Sequence, residues 1–163
     1  MVREVSLFTR SQTSAKQSRT EKILIMKRLS EYLFLGTFGG TLYYTFELIF
    51  RGFSHWSMFL LGGICFVFFA QQGMWTGWDA PLWQQVAWCA VFVTAGEFIT
   101  GIIVNKIMGW NVWDYTDQPF NLMGQICLPF AVIFSGLCAI GIILSAYLLH
   151  FLYGEESPHF HVL

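Results

Sequence analysis

The chain is 163 residues long, 55% hydrophobic and only 12% charged, with a formal net charge of −1. An ordinary soluble domain carries roughly 25% charged residues, and 17 Phe, 7 Trp and 6 Tyr are more apolar surface than so small a soluble core can hide. These figures exclude a water-soluble globule and point to a membrane protein, because a bilayer gives exposed apolar surface a solvent.

Seven of the nine Lys and Arg residues fall within the first 28: Arg3, Arg10, Lys16, Arg19, Lys22, Lys27 and Arg28. Basic residues beside a span stay on the cytoplasmic side. The tail 1–28 is therefore read as cytoplasmic and anchored to the membrane surface, and not as a nucleic-acid arm. Residues 1–20 are polar and expected to be loosely ordered. Residues 21–28 (EKILIMKR) are expected to form a short helix lying on the bilayer. No cleavable signal peptide is expected, since the apolar region begins late and lacks a small-residue cleavage site.

Four apolar stretches follow, at 29–50, 56–73, 82–107 and 126–152. Each approaches or exceeds the roughly 20 residues needed to cross the hydrocarbon. The expected fold is all-α: a polytopic bundle of four transmembrane helices over 29–152, with a short C-terminal tail at 153–163. Residues 51–55 read as a tight turn, and 74–81 (MWTGWDAP) as an interfacial loop after which Pro81 starts the third span. The segment 108–125 (MGWNVWDYTDQPFNLMGQ) is too polar to span and too aromatic for a plain solvated loop. It is expected to lie at the interface or to re-enter the bundle between helices three and four. Trp75, Trp78, Trp110 and Trp113 read as belt residues. Four spans with a cytoplasmic N-terminus return the C-terminus to the cytoplasm, in the cell membrane.

Cys65, Cys89, Cys127 and Cys138 sit in apolar runs without CxxC spacing and read as small buried hydrophobes. His55 reads as interfacial. His150, His159 and His161 lie at or past the end of the last span, where no metal site is expected. No GxxxxGKS/T, GxGxxG or HExxH motif is present, so the chain does not hydrolyse ATP alone.

Two carboxylates fall within spans, where charge is costly and marks function. Glu47 is eighteen residues into the first span, roughly 27 Å along it at 1.5 Å per residue. Glu97 is fifteen residues into the third, roughly 22 Å along it by the same measure. Both then lie in the outer half of the bilayer, on the side of Asp114, and the three acids are expected to face one vestibule. Helical spacing puts Gly36, Gly40, Tyr44 and Glu47 on one face, and Thr94, Glu97, Gly101 and Asn105 on another. Small residues beside polar ones let helices approach closely; Ser135 and Ala139 offer a similar contact on the fourth span. A structural alternative stands beside this reading: Glu47 can pair with Arg51 one turn on, and Glu97 can be protonated and hydrogen-bonded across the bundle.

The run WDYTDQPFNLMGQIC contains Trp113, Asp114, Tyr115, Thr116, Asn121, Gly124, Ile126 and Cys127. Upstream, TAGEFITG covers Thr94 to Gly101, and Glu47 follows Tyr43 and Tyr44. On these residues the chain resembles the ABC-transporter type IV (CmpB-like) permease family of small bacterial membrane proteins, over residues 30–145, with Thr116 where Ser is usual. The resemblance implies a helical membrane bundle and draws attention to these same positions. No motif for docking an ATPase is evident.

The expected function is a transporter or channel-type subunit. Glu47, Glu97, Asn105, Trp113, Asp114, Tyr115 and Asn121 would form its ligand-binding site, for a cation, a proton-coupled solute or a lipid headgroup. The alternatives are a non-catalytic membrane subunit of a larger assembly and, ranked last, a lipid-modifying enzyme, for which no nucleophile or metal set is present. No cofactor, catalytic residue or nucleic-acid partner is expected. The expected partners are membrane lipids and either further copies of the chain or other subunits of a membrane complex.

Overall fold

A computed structural model describes residues 2–76 and 80–160; Trp78 and His161 lie outside the described residues. The fold is an all-α membrane bundle. Its elements are α1 (Val2–Arg51), α2 (Trp56–Thr76), α3 (Leu82–Gly101) running directly into a π-helix (Ile102–Ile107), and α4 (Leu128–Tyr153). Among the described residues, three helical stretches are long and apolar enough to cross a membrane: Trp56–Gly73, Leu82–Ile107 and Leu128–Tyr153. The expected first span, 29–50, lies within α1 and falls short of that measure, because Gly, Thr, Tyr and Glu47 dilute its Leu and Phe.

The chain divides into two compact units, 1–34 and 35–163. In the first, α1 is helical from Val2. The stretch 21–28, expected as a separate short helix, is part of this one long helix. No Gly or Pro interrupts the chain before Gly36, and neither breaker is available to end the helix. One-turn pairs support it: Gln17 donates to Glu21 at 3.4 Å, the Thr20 hydroxyl donates to the Lys16 carbonyl at 3.0 Å, and Lys27 lies 3.7 Å from Glu31. The stretch 21–28 is not amphipathic either. Ile23, Leu24, Ile25 and Met26 are all exposed, and four successive residues at about 100° each cover the whole helix circumference.

In the second unit the last third of α1 crosses α2 on glycines. A Cβ on Gly63 would stand 2.5 Å from the Gly36 carbonyl oxygen, and one on Gly40 would stand 2.5 Å from that of Phe59. A Cβ on Gly39 would overlap the Phe66 side chain. Such residues let two backbones touch, which is where dispersion between membrane helices is strongest. The helix α4 makes a similar contact through Gly141, where a Cβ would meet the Phe69 ring at 2.6 Å. Ser135, expected to serve that contact, instead donates its hydroxyl to Ala131 within its own helix at 2.8 Å. At the opposite end of the unit, Gln72 donates to Gln85 at 2.9 Å, and Gln85 donates to the Ala80 carbonyl at 2.8 Å. Both glutamines are buried, so this pair ties α2 to the start of α3. The four cysteines are buried and unbridged.

Replacing Gly63 by Val is expected to destabilise the protein by about 1–3 kcal/mol through overpacking. The check is thermal unfolding in detergent. Gly136→Ala, whose new methyl would meet nothing within 4 Å, is expected to melt with the wild type.

Candidate functional site

The π-helix sets up the site. Its wide turn sends the Met108 N–H to the Ile103 carbonyl and the Trp110 N–H to the Val104 carbonyl, both at 2.9 Å. Single π-turns of this kind often occur at functional sites. Asn105 lies within it and is buried. Its Oδ1 accepts the Val112 N–H at 2.6 Å, and its Nδ2 donates to Gln125 Oε1 at 2.8 Å. Gln125, also buried, donates to the Met123 carbonyl at 3.0 Å and accepts the Trp113 indole N–H on its own carbonyl at 2.9 Å. The sequence reading missed Gln125. Its signal was a long polar side chain between Gly124 and Ile126 in an apolar setting.

Trp113 is therefore not a belt residue. It is 5% exposed, because its indole N–H finds a partner inside the segment. Trp75 and Trp110 are exposed, as belt residues are. Asp114 is exposed too, and one of its carboxylate oxygens accepts both the Thr116 N–H, at 2.9 Å, and the Thr116 hydroxyl. These two bonds hold its carboxyl below the usual carboxylate range, with the Lys106 charge acting in the same direction. Gly124 closes the turn at φ 70°, where a Cβ would stand 2.6 Å from Thr116 Oγ1 and 2.7 Å from Asp114 Oδ1. Asn121 donates to the Thr116 carbonyl at 3.0 Å and the Gln118 carbonyl at 2.9 Å, and accepts the Gly124 N–H at 3.1 Å. Asn105, Trp113, Asp114 and Asn121 thus spend their polar atoms on folding residues 108–127.

Tyr115 points the other way. Its ring stacks on Phe130 with centroids 4.7 Å apart, and its hydroxyl donates to Glu97 Oε1 at 3.1 Å. Burial and the neighbouring Glu97 charge raise its hydroxyl above the ordinary tyrosine value.

The two span carboxylates differ. Glu47 is satisfied at both oxygens: Arg51 Nη1 at 2.7 Å on Oε1, and the Ser54 hydroxyl at 2.6 Å on Oε2. This is the one-turn pairing weighed as the structural alternative. Arg51 reaches further, donating from Nη2 to the Val112 carbonyl at 2.9 Å, which joins the end of α1 to the irregular segment. Glu97 is 5% exposed, and its Oε2 accepts no hydrogen bond from a described residue. It lies within electrostatic reach of Glu47 and Arg51, and Tyr43 within reach of both acids. The expected three-acid vestibule is thus revised: Glu47 and Glu97 are brought together with Tyr43 and Tyr115, while Asp114 turns outward.

Glu97 forms part of the wall of a cavity of about 330 Å³ between α2, α3, α4 and the last third of α1. Val93 lines it one turn before Glu97, and Tyr43, Phe46, Phe66, Phe69 and Phe134 share the remaining wall with Cys65, Cys138 and several aliphatic and glycine residues. Counting aromatics in sequence assigned them to the lipid face; that these five converge depends on how the helices are rotated against one another.

Residues 30–160, which include every part of this site, match the family described as "Putative ABC-transporter type IV". The chain belongs to that family. Neither the curated proteins nor the solved structures contain a significant match. Within this type IV family member, the matched stretch runs through the whole of α4 and beyond the 30–145 of the sequence resemblance.

Asn105→Ala strands the Val112 N–H and the Gln125 amide together. A buried group left without its partner costs about 1–3 kcal/mol, so this variant is expected to melt clearly below wild type in detergent. Asp114→Ala, which removes only exposed bonds, is expected to melt much closer to it. Equal losses would contradict this division of labour.

Proposed function

We propose that this member of the type IV ABC-transporter family is a membrane transport subunit that works at the Glu97 carboxylate. The observation that supports it is a buried acid with one oxygen open beside a cavity. Ionisable groups inside membrane spans are rare and expensive, and they line substrate or ion pathways. Glu47 is paired with Arg51 and positions the site; Glu97 faces the substrate, and Tyr115 holds the Glu97 carboxylate. Asn105, Trp113, Asp114 and Asn121 act through the segment they fold. In this reading 29–50 is a fourth span, 1–28 is a basic cytoplasmic tail, and 153–163 returns to the cytoplasm. The N-terminal charge cluster supports that orientation, which puts Glu97 in the outer half of the bilayer.

The test is charge movement on a solid-supported membrane bearing reconstituted protein, after concentration jumps of alkali, quaternary ammonium and phosphonium cations. Wild type is expected to give a transient current with at least one of them, and Glu97→Gln to lower it at least tenfold. Equal currents from the two proteins would remove Glu97 from the mechanism.

A second reading, a subunit of a larger assembly, is favoured by a shallow apolar groove of about 490 Å³ between α3 and α4. Thr94, Ala95, Ala131 and Ser135 floor it, flanked by Val91 and Val132. Small residues in that arrangement suit a helix from another chain or a second copy. Ala95→Trp is expected to reduce the particle mass recovered from native membranes in mild detergent. An active wild-type preparation already running as a monodisperse monomer would exclude this reading.

A further inference from the structure

We infer that the Glu97 cavity binds a lipophilic monocation: a compact apolar body carrying one shielded positive charge, such as a quaternary ammonium or phosphonium centre. The inference rests on the transport reading of the same site and adds to it the class of ligand. Three observations lead there.

The first is charge. Glu97 is nearly fully buried, and no Lys, Arg or His lies within ion-pair distance of it among the described residues. Its hydrogen-bond partner is the neutral hydroxyl of Tyr115 on Oε1. A buried carboxylate without a cation is costly, and a ligand bringing one positive charge supplies what the protein does not. Arg51, a cation within electrostatic reach of Glu97, is committed to Glu47 and to the Val112 carbonyl.

The second is the wall. Apart from Glu97 the cavity is lined by aromatic, aliphatic, glycine and cysteine residues. A hydrated metal ion needs several oxygen ligands to replace its water, and one carboxylate oxygen does not provide them. An anionic headgroup would meet the Glu97 charge. A weakly hydrated organic cation loses little on entering, and ring faces attract it. Tyr43, Phe46, Phe66, Phe69 and Phe134 offer such faces.

The third is size. About 330 Å³ falls at the small end of the roughly 300–1,000 Å³ of small-molecule sites, which suits a compact body better than two full acyl chains.

The experiment is equilibrium binding of tetraphenylphosphonium to the purified full chain in detergent, with protein-free micelles subtracted. Tetraphenylborate, of the same shape and opposite charge, is measured in parallel. Wild type is expected to bind the phosphonium saturably and at least tenfold more tightly than the borate. Glu97→Gln is expected to weaken phosphonium binding at least tenfold, and Glu97→Asp, which keeps the charge, to retain most of it. Val93→Phe, which fills the cavity beside Glu97, is expected to weaken both ions together. Phosphonium is also expected to raise the melting temperature of wild type and not that of Glu97→Gln, which keeps the comparison valid if the variant yields poorly. Saturable binding that is equal for the two ions, binding unchanged in Glu97→Gln, or no saturable binding to wild type would each overturn the inference. The two proposals fail separately. Phosphonium binding without any current overturns transport alone. An alkali-ion current that depends on Glu97, without phosphonium binding, overturns the ligand class alone.

Discussion

The hydrogen bond between Asn105 and Gln125 is the joint on which the loop end of the molecule depends. Irregular backbone near a membrane has no water to satisfy its N–H and C=O groups and persists only where protein does so. Residues 108–127 contain no helix, and beyond a few turn hydrogen bonds and the Leu122–Ile126 bridge they are held by Asn105 and Gln125. Through Asn105 the segment is fixed to the π-helix, and through the Gln125 carbonyl the Trp113 indole is fixed to the segment. With Val112 held in place, its carbonyl becomes an acceptor for Arg51, which also pairs with Glu47. Through its two side-chain bonds Asn105 thus links the π-helix after α3, the irregular segment and, by way of Val112 and Arg51, the end of α1.

The two acids show how partners decide the role of a charge in an apolar setting. Glu47 is four residues from an arginine and seven from a serine, and both oxygens are used. Such a group is held in one rotamer and serves as a fixed part of the frame. Glu97 has only a tyrosine hydroxyl on one oxygen. The unsatisfied side of a buried carboxylate is a standing electrostatic demand, and Glu97 stands in the wall of a cavity. The same chemistry, placed a helix apart, gives a brace in one case and a binding group in the other.

Much of the helical plan was legible because membrane helices announce themselves by length and apolarity. The 82–107 stretch agrees with the structure to the residue, the 56–73 stretch starts where α2 starts and stops one turn short of its end at Thr76, and the turn at 51–55 follows from the break in apolarity at Arg51 and Gly52. The stretch 21–28 was read as a helix of its own, although no Gly or Pro separates it from the residues on either side and one-turn partners run through it. Trp113 and Asp114 were placed on the right segment with the wrong orientation. Side chains alternate along an extended stretch: Trp113 and Tyr115 turn inward, while Asp114 and Thr116 are exposed. A motif read as a block of neighbours hides that alternation. The cavity was not legible at all, since its wall is drawn from four helices whose rotations no local pattern fixes.

That alternation also explains why two separated sequence motifs form one unit. Along α3, Glu97 and Gly101 are four residues apart, about 6 Å at 1.5 Å per residue. Along the extended segment, Trp113 and Tyr115 are two residues apart, about 6.6 Å at 3.3 Å per residue. The two steps match, so the segment is able to run beside α3 in register. Gly101 faces Trp113, where a Cβ would stand 3.0 Å from the indole, and Glu97 faces Tyr115. Running back along α3 toward its start, the segment advances as the helix retreats, an antiparallel pairing of strand-like chain and helix. Gly101 is what permits the approach, Trp113 anchors it through Gln125, and Tyr115 is then delivered to the Glu97 carboxylate without a further degree of freedom. The TAGEFITG and WDYT stretches are two edges of a single contact, and the buried carboxylate at its far end is left half satisfied.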